Sequence, residues 1–351
     1  MNHQVTDMRR RAKKSAASDN RSGLSIDDAR VAFASVQRGQ HDSIRITAAV
    51  FDEDANNADG ARQLAARMRT INAGRSRLTS VLPGNSYQVL LVEVPNVPAD
   101  EINAAARWQI KDLLDFPVDE IVVEMFELPT QSTADGKAMG YAVAARRSGI
   151  QEHIDLLKEA GLSLDAIDIP ELCTRNIATL LPQDAGGVAF LHFTQNHGIL
   201  TITRRGVLYL TRRIDKGRGA INAAATGDFV QADLEATTGL TILSSADDEG
   251  QSAFADDFSR SELVSTIVQE IQRSLDFYDS HYDCEPLSEL VLSPGSNIGG
   301  LAKALNDQLG LAVSSLNLNR LFEMQSELST PEQGACLLAI GAALRSESLA
   351  A

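Results

Sequence analysis

The chain has no run of apolar residues long enough to cross a bilayer, and its first residues lack the apolar centre of a secretory signal. A membrane-spanning or exported protein is therefore not expected. Cysteine is scarce: Cys173, Cys284 and Cys336 lie far apart, odd in number and without a pairing motif. This excludes a disulfide framework and predicts reduced thiols in a reducing compartment, each filling an apolar helix or a strand edge. Positive charge is in deficit, with 32 Lys and Arg against 47 Asp and Glu and a formal net charge of −15. Phosphate backbones need a basic surface, so a general nucleic-acid binder is excluded and a soluble cytoplasmic protein is expected. No P-loop, HExxH, CxxC pair or GxSxG occurs, so neither a metal site nor a catalytic residue is announced.

What the chain does have is length and apolar material for large cores. Its 351 residues are 44% hydrophobic, enough for two domains or one large two-lobed one. Residues 1–21 are polar, with Arg9, Arg10, Arg11, Lys13 and Lys14 clustered, and read as a disordered tail. Such a cluster reads first as a start-site extension without a role, with attraction to an anionic inner leaflet, roughly 1 kcal/mol per basic residue near the surface, as the alternative. Strands follow at Leu24–Ile26, Arg30–Gln37 and Ser43–Phe51, then a helix over Gly60–Ile71 with Leu64 and Met68 inward, then a strand at Leu78–Leu82. The same order returns at Val188–Phe193, Gly198–Thr203 and Gly206–Arg213, with turns at Asn196-His197-Gly198 and Arg205-Gly206.

Between the two series, residues 86–169 read βαββαβ, a ferredoxin-like order. Its first helix is expected over Asp100–Phe116, capped by Asp100 and buried through Ile102, Ala106, Ile110, Leu113 and Leu114. Trp108 falls off that stripe and is expected to pack on the neighbouring lobe, with a partner contact as the alternative. Further on, Leu263, Ile267, Ile271 and Leu275 mark a helix over Ser261–Asp283. A buried strand at Leu287–Ser293 then opens through Pro294-Gly295-Ser296 into a helix over Ile298–Leu309. A strand opening through glycine into a helix N-terminus is where α/β proteins place anions. A last helix, Pro331–Arg345, is small and apolar around Gly341, which predicts close packing on a sheet.

The run Glu270-Ile-Gln-Arg-Ser-Leu-Asp-Phe-Tyr278, the strand into a glycine turn, and Gly299-Gly-Leu-Ala-Lys-Ala-Leu305 resemble the PilM-type proteins of type IV pilus assembly. Among these they are most similar to the MshI proteins of MSHA pilus biogenesis. The resemblance extends over Gly23–Arg345, including Ala106–Pro117. It implies an actin-like (ASKHA) two-lobed α/β fold carrying the ferredoxin-like insert. The first half would be 22–85 with 170–185, the insert 86–169, the second half 186–330, and 331–345 the closing helix. The resemblance places Glu270, Arg273, Gly295, Ser296, Gly299 and Gly300 around an adenosine.

The phosphate clasps of that fold need an Asp and then a Gly that lets the backbone approach the phosphates. Here Ser25 and Asp27 stand at those positions in the first hairpin, with Asp28 next, and His192 and Thr194 in the second. Paired carboxylates would repel a triphosphate, although Asp27 and Asp28 read first as an ordinary turn and His192 as a hydrogen-bonded core residue. Arg204, Arg205, Arg212 and Arg213 read as a solvated strand-end face, with an acidic partner's docking site as the sharper alternative.

These departures from the family's clasps imply a pseudo-ATPase without a cofactor, with residual ATP binding on Glu270, Arg273, Gly295 and Ser296 left open. It would be a cytoplasmic platform, peripheral at the inner membrane, that docks the N-terminal segment of a PilN-type membrane protein and communicates with the pilus extension ATPase. The alternatives are an ATP-binding switch that hydrolyses slowly with Mg and a GspL-like platform of type II secretion.

Overall fold

The structure, a computed structural model, describes residues 20–27, 30–39, 43–52, 62, 65–66, 77–114, 116–129, 137–226, 249–287, 289–296 and 301–346. The first meander is as expected. β1 (Asn20–Asp27), β2 (Arg30–Arg38) and β3 (Ile44–Asp52) run antiparallel, and β4 (Arg77–Val81) lies parallel to β1. β1 already begins at Asn20, so strand replaces the end of the polar tail expected over 1–21; residues 1–19 lie outside the described residues. So do Leu64 and Met68 of the expected helix over 60–71.

The insert contributes β5 (Tyr87–Glu93), α1 (Ile102–Gln109), β6 (Ile121–Glu127), β7 (Met139–Arg146), α2 (Arg147–Glu159) and β8 (Ala166–Asp168). This is the βαββαβ order, but the pairing divides it. β5, β7 and β6 form their own three-stranded sheet, whereas β8 lies parallel to β4 in the first lobe. Leu157 of α2 packs with Leu24, Phe33 and Leu78, and His153 Nε2 meets Ser80 Oγ at 2.8 Å. The helix bridges the two sheets: Leu157 lies on the lobe sheet, while Ile150 packs with Tyr87 and Ala145 of the small sheet, whose other cluster α1 covers through Ala106 and Ile110. The insert's own sheet thus lies within Tyr87–Arg146, and its last strand, β8, joins the sheet of the first lobe.

Within it, α1 is shorter than the expected Asp100–Phe116 and tightens into a 3-10 turn over Lys111–Leu113. The tighter turn breaks the four-residue stripe, and Leu113 is 60% exposed. Glu101, not Asp100, stands at the N-cap, without a side-chain cap. Trp108 is 56% exposed and belongs to no apolar cluster among the described residues, against the expected packing on the neighbouring lobe; the Arg107 guanidinium lies 6.0 Å from its ring centre.

α3 (Pro170–Ala178) leads into the second lobe. β9 (Val188–Phe193), β10 (Gly198–Arg204) and β11 (Val207–Ile214) form its meander, followed by α4 (Arg218–Thr226), α5 (Glu249–His281), β12 (Glu289–Leu292), α6 (Leu301–Leu309) and β13 (Ala312–Ser315). Its strand order β11-β10-β9-β12-β13 repeats the β3-β2-β1-β4-β8 of the first lobe. The duplication lies in the pairing and not in the residues. After α7 (Leu318–Leu321), β14 (Glu323–Met324) adds to β3 of the first lobe, so the chain recrosses before residue 330.

α8 (Thr330–Ala343) closes the fold with a capping box in which Ser329 and Glu332 exchange hydrogen bonds. It packs against β1 and α3, while α3 packs against β9 and β10. One core therefore runs through the pair of helices between the sheets, joining Ala34 and Val36 to Leu337 and Ile340 and on to Phe190 and Val291. On the far side of the second sheet, Leu191 and Phe193 pack with Ile267, Ile271 and Tyr278 of α5 and Leu301 and Leu305 of α6. β9 reads as continuously apolar because both of its faces are covered. Cys173 and Cys336 are buried and Cys284 half-buried, all free thiols, as expected.

Candidate functional site

The turns of the two lobes face each other across a cleft. Ser25 and Ile26 at the end of β1, residues 81–85 after β4, Thr194, Asn196 and His197 between β9 and β10, and Arg213 with Asp215 enclose a cavity of about 300 Å³. Pro170 and Leu338, from the two central helices, form its floor. This is the position at which the sequence places the phosphate clasps.

The side chains there are engaged with one another. His192 is buried, and its Nδ1 meets Ser293 Oγ at 2.9 Å; Ser293 Oγ in turn meets Ser296 Oγ at 2.6 Å. Burial pushes the His192 pKa down to about 3, so a neutral, hydrogen-bonded core histidine stands there, as expected. Thr194 Oγ1 donates to the His197 carbonyl at 3.0 Å. The first amides of α4 are also used: Arg218 N donates to Thr194 O at 2.8 Å and Gly219 N to Gln195 O at 2.9 Å. Donors that a helix N-terminus offers to an anion are here spent on the hairpin backbone. β1 ends at Asp27, opposite Arg30 of β2, as a turn requires; Asp28 lies outside the described residues.

Of the residues placed around an adenosine, Glu270 and Arg273 sit on α5 and pair with each other at 2.6 Å, and Glu270 lies 3.8 Å from Arg212. Gly295 has φ +75°, the left-handed turn after β12 that favours glycine. Ser296 is buried with its hydroxyl turned toward Ser293. Gly299 and Gly300 lie outside the described residues. None of the four described residues lines the cleft cavity. The cleft lacks the clasp carboxylate and glycine at the positions the sequence assigns to them; Thr194 and the first amides of α4 are committed to protein partners, whereas the buried His197 Nε2, which lines the cavity, has none among the described residues. Among the described residues, no group of three or more His, Cys, Asp or Glu is placed to hold a metal.

The basic patch expected on the second meander is not a solvated face. Arg204 is buried and donates to the Tyr278 hydroxyl at 3.0 Å and to the Glu285 carbonyl. Arg213 donates to Glu171 Oε1 at 2.9 Å and to the Gly84 carbonyl at 2.9 Å. The strand ends are buried against α5 and the insert, so these guanidiniums need partners and have them. The Arg205-Gly206 turn is outside, with φ +52° and +80°, as expected of a tight hairpin, and the Arg212 side chain is 41% exposed beside Glu270.

A second, larger cavity of about 570 Å³ lies between the insert and the second lobe. One wall is β5 from Tyr87 to Leu91 with Leu113; the other is β11 from Leu210 to Arg213 with Phe277 of α5. Both strands are edges of their sheets. At one side the bodies touch: Tyr141 of β7 donates its hydroxyl to the Thr211 carbonyl at 2.8 Å and accepts the Thr211 N–H at 3.1 Å. Leu128 and Tyr141 pack on Leu208 there. The Glu171 carboxylate, at the base of the groove, receives the Tyr87 hydroxyl as well as Arg213. Glu171 and Tyr87 carry no motif in the sequence; only the fold brings them to Arg213.

A solved structure described as the PilM-PilN type IV pilus biogenesis complex matches with a TM-score of 0.67 and 20% identity, over 92% of this chain and 97% of that one. The cytoplasmic domain of EpsL, an inner-membrane component of the type II secretion system of Vibrio cholerae, matches at 0.39 and 11%, over 60% and 77%. Component A of the Acidaminococcus fermentans (R)-2-hydroxyglutaryl-CoA dehydratase matches at 0.44 and 11%, over 93% and 100%. The fold is that of the actin-like ATPases. No curated protein sequence matches. The family model for the type IV pilus assembly protein PilM matches residues 47–347, and the chain belongs to that family.

Proposed function

We propose that this chain is a platform protein of an MSHA-type pilus machine, a member of the MshI branch. It acts by binding and not by catalysis: the cytoplasmic N-terminal segment of a PilN-type membrane protein docks on it and holds it at the cytoplasmic face of the inner membrane. The observation that carries this reading is the groove between β5 and β11. Leu90, Leu91, Leu113, Leu210 and Phe277 give it apolar walls, and its charged floor is already neutralised by the Glu171–Arg213 pair. A narrow cleft between two strand edges fits an extended segment. The similar PilM structure is a complex with PilN, which supports the same class of occupant. Among the described residues no helix is long and apolar enough to cross a membrane, so an anchored partner would supply the attachment. The basic residues at 9–14 would add attraction to anionic lipid.

The interlobe cleft is, on this reading, a degenerate nucleotide site. The committed hydroxyls and the neutral His192 support it, and no bond-making step is assigned to any residue. Docking would then pass a conformational state to or from the extension ATPase. The test is a pull-down of the full chain by the partner's cytoplasmic peptide. Leu91→Asp and Phe277→Ala should each weaken capture severely. Capture that is undiminished in both variants would move the docking site elsewhere.

A further inference from the structure

The cleft and the groove share a wall. Arg213 lines both cavities; Gly84 lines the first, and Tyr87 and Glu171 the second. The wall joins three bodies: Tyr87 belongs to the insert sheet, Glu171 to the first turn of α3, and Arg213 to β11 of the second lobe. Glu171 is 2% exposed, and its two carboxylate oxygens are divided between the other bodies, Oε2 to the Tyr87 hydroxyl and Oε1 to Arg213. The Arg213 guanidinium lies 5.2 Å from the Tyr87 ring centre and donates its other arm to Gly84 O, in the turn joining the first lobe to the insert. A Cβ on Gly84 would stand 2.7 Å from His197 Cε1, so that turn is packed directly on the second hairpin of the cleft.

We propose that Tyr87, Glu171 and Arg213 form a relay that couples occupancy of the groove to the spacing of the cleft turns at 82–86 and 194–198. The proposal rests on the docking function of the groove and names its regulation. The physical ground is the burial of Glu171: the Arg213 side chain is 31% exposed, but moving it leaves the enclosed carboxylate, 3% exposed, without its counter-charge. The unit therefore shifts as a whole or not at all, which makes it a two-position element and not a soft spring. A segment entering the groove touches Tyr87 and Glu171. Any shift of Arg213 then pulls on Gly84 O, and the Gly84 turn is in contact with His197.

Hydrogen exchange on the full-length chain tests this, with and without the N-terminal peptide of the PilN-type partner. Peptide concentrations are set by calorimetry to saturate each protein. The reporters are the hydrogen-bonded amides of Ser86, Thr194 and Arg218. In the unaltered chain, peptide should change their exchange rates several-fold. In Tyr87→Phe and Glu171→Gln, saturated in the same way, that peptide-dependent change should vanish. A merely destabilised variant would instead exchange faster everywhere with or without peptide. No change in the saturated unaltered chain, or the same change in both variants, overturns the relay. If calorimetry shows that the unaltered chain takes up no peptide, the docking function fails and the relay falls with it.

Discussion

A Cβ placed on Gly341 of α8 would lie 2.4 Å from the carbonyl oxygen of Cys173 on α3. The two central helices approach backbone to backbone here, and Asn176 Nδ2 donates to Gly341 O at 2.9 Å. Gly341→Ala is therefore expected to destabilise by about 1–3 kcal/mol, although alanine is the better helix former by about 1 kcal/mol. Gly149 in α2 has nothing within 4 Å of the same position, and Gly149→Ala should stabilise by about 0.5–1 kcal/mol. Urea unfolding of the two variants should move in opposite directions.

Tyr278 is fully buried, and its hydroxyl accepts a hydrogen bond from Arg204 Nε at 3.0 Å. Burial raises the pKa of its phenol to about 12, so it stays neutral across the working range. Tyr278→Phe removes the acceptor of a buried cation and should cost about 1–3 kcal/mol, read as a lower urea midpoint at unchanged slope.

Acid should weaken the fold through His192. Its folded pKa of about 3 lies below the 6.5 of an unfolded histidine. The unfolded state therefore binds the extra proton between these values, and stability falls as pH drops below about 6.5. From pH 7.5 to 5.0 this one group should remove about 2 kcal/mol. His192→Asn keeps a polar partner for Ser293 and should flatten that part of the slope; equal slopes in the two proteins would refute the assignment.

The β14 attachment is expected to tolerate loss of its ion pair. Arg45 and Glu323 meet at 2.9 Å, but both side chains are more than half exposed. Glu323→Gln should therefore shift the unfolding midpoint by less than about 1 kcal/mol, read in urea titrations.

How much of this was legible in the sequence depends on whether local pattern or distant pairing decides. Val188–Phe193 and Arg30–Arg38 read correctly because burial and β-branched or aromatic residues agree over the whole strand. The end of α1 did not, because Leu113 keeps the helical spacing while the backbone tightens around it. Nothing in Ala166–Asp168 says that it pairs with Thr79–Val81 and not with the insert, since partner choice is a property of the sheet. The site divides in the same way. His192 between Leu191 and Phe193 announced a core histidine, and the altered clasp residues could be counted directly. The Tyr87–Glu171–Arg213 cluster could not, because its members are 84 and 42 positions apart and meet only across three bodies. Arg204 and Arg213 misled for a related reason: their charges are satisfied by residues far off in the chain, Arg204 by Tyr278 and Glu285 and Arg213 by Glu171 and Gly84.

The most direct test of the central claim is calorimetric titration of the full-length chain, first with Mg-ATP and then with the N-terminal peptide of the PilN-type partner. No heat of binding is expected with Mg-ATP, and the peptide should bind saturably. Saturable Mg-ATP binding would contradict the degenerate cleft, and a peptide that gives no heat would contradict the docking groove.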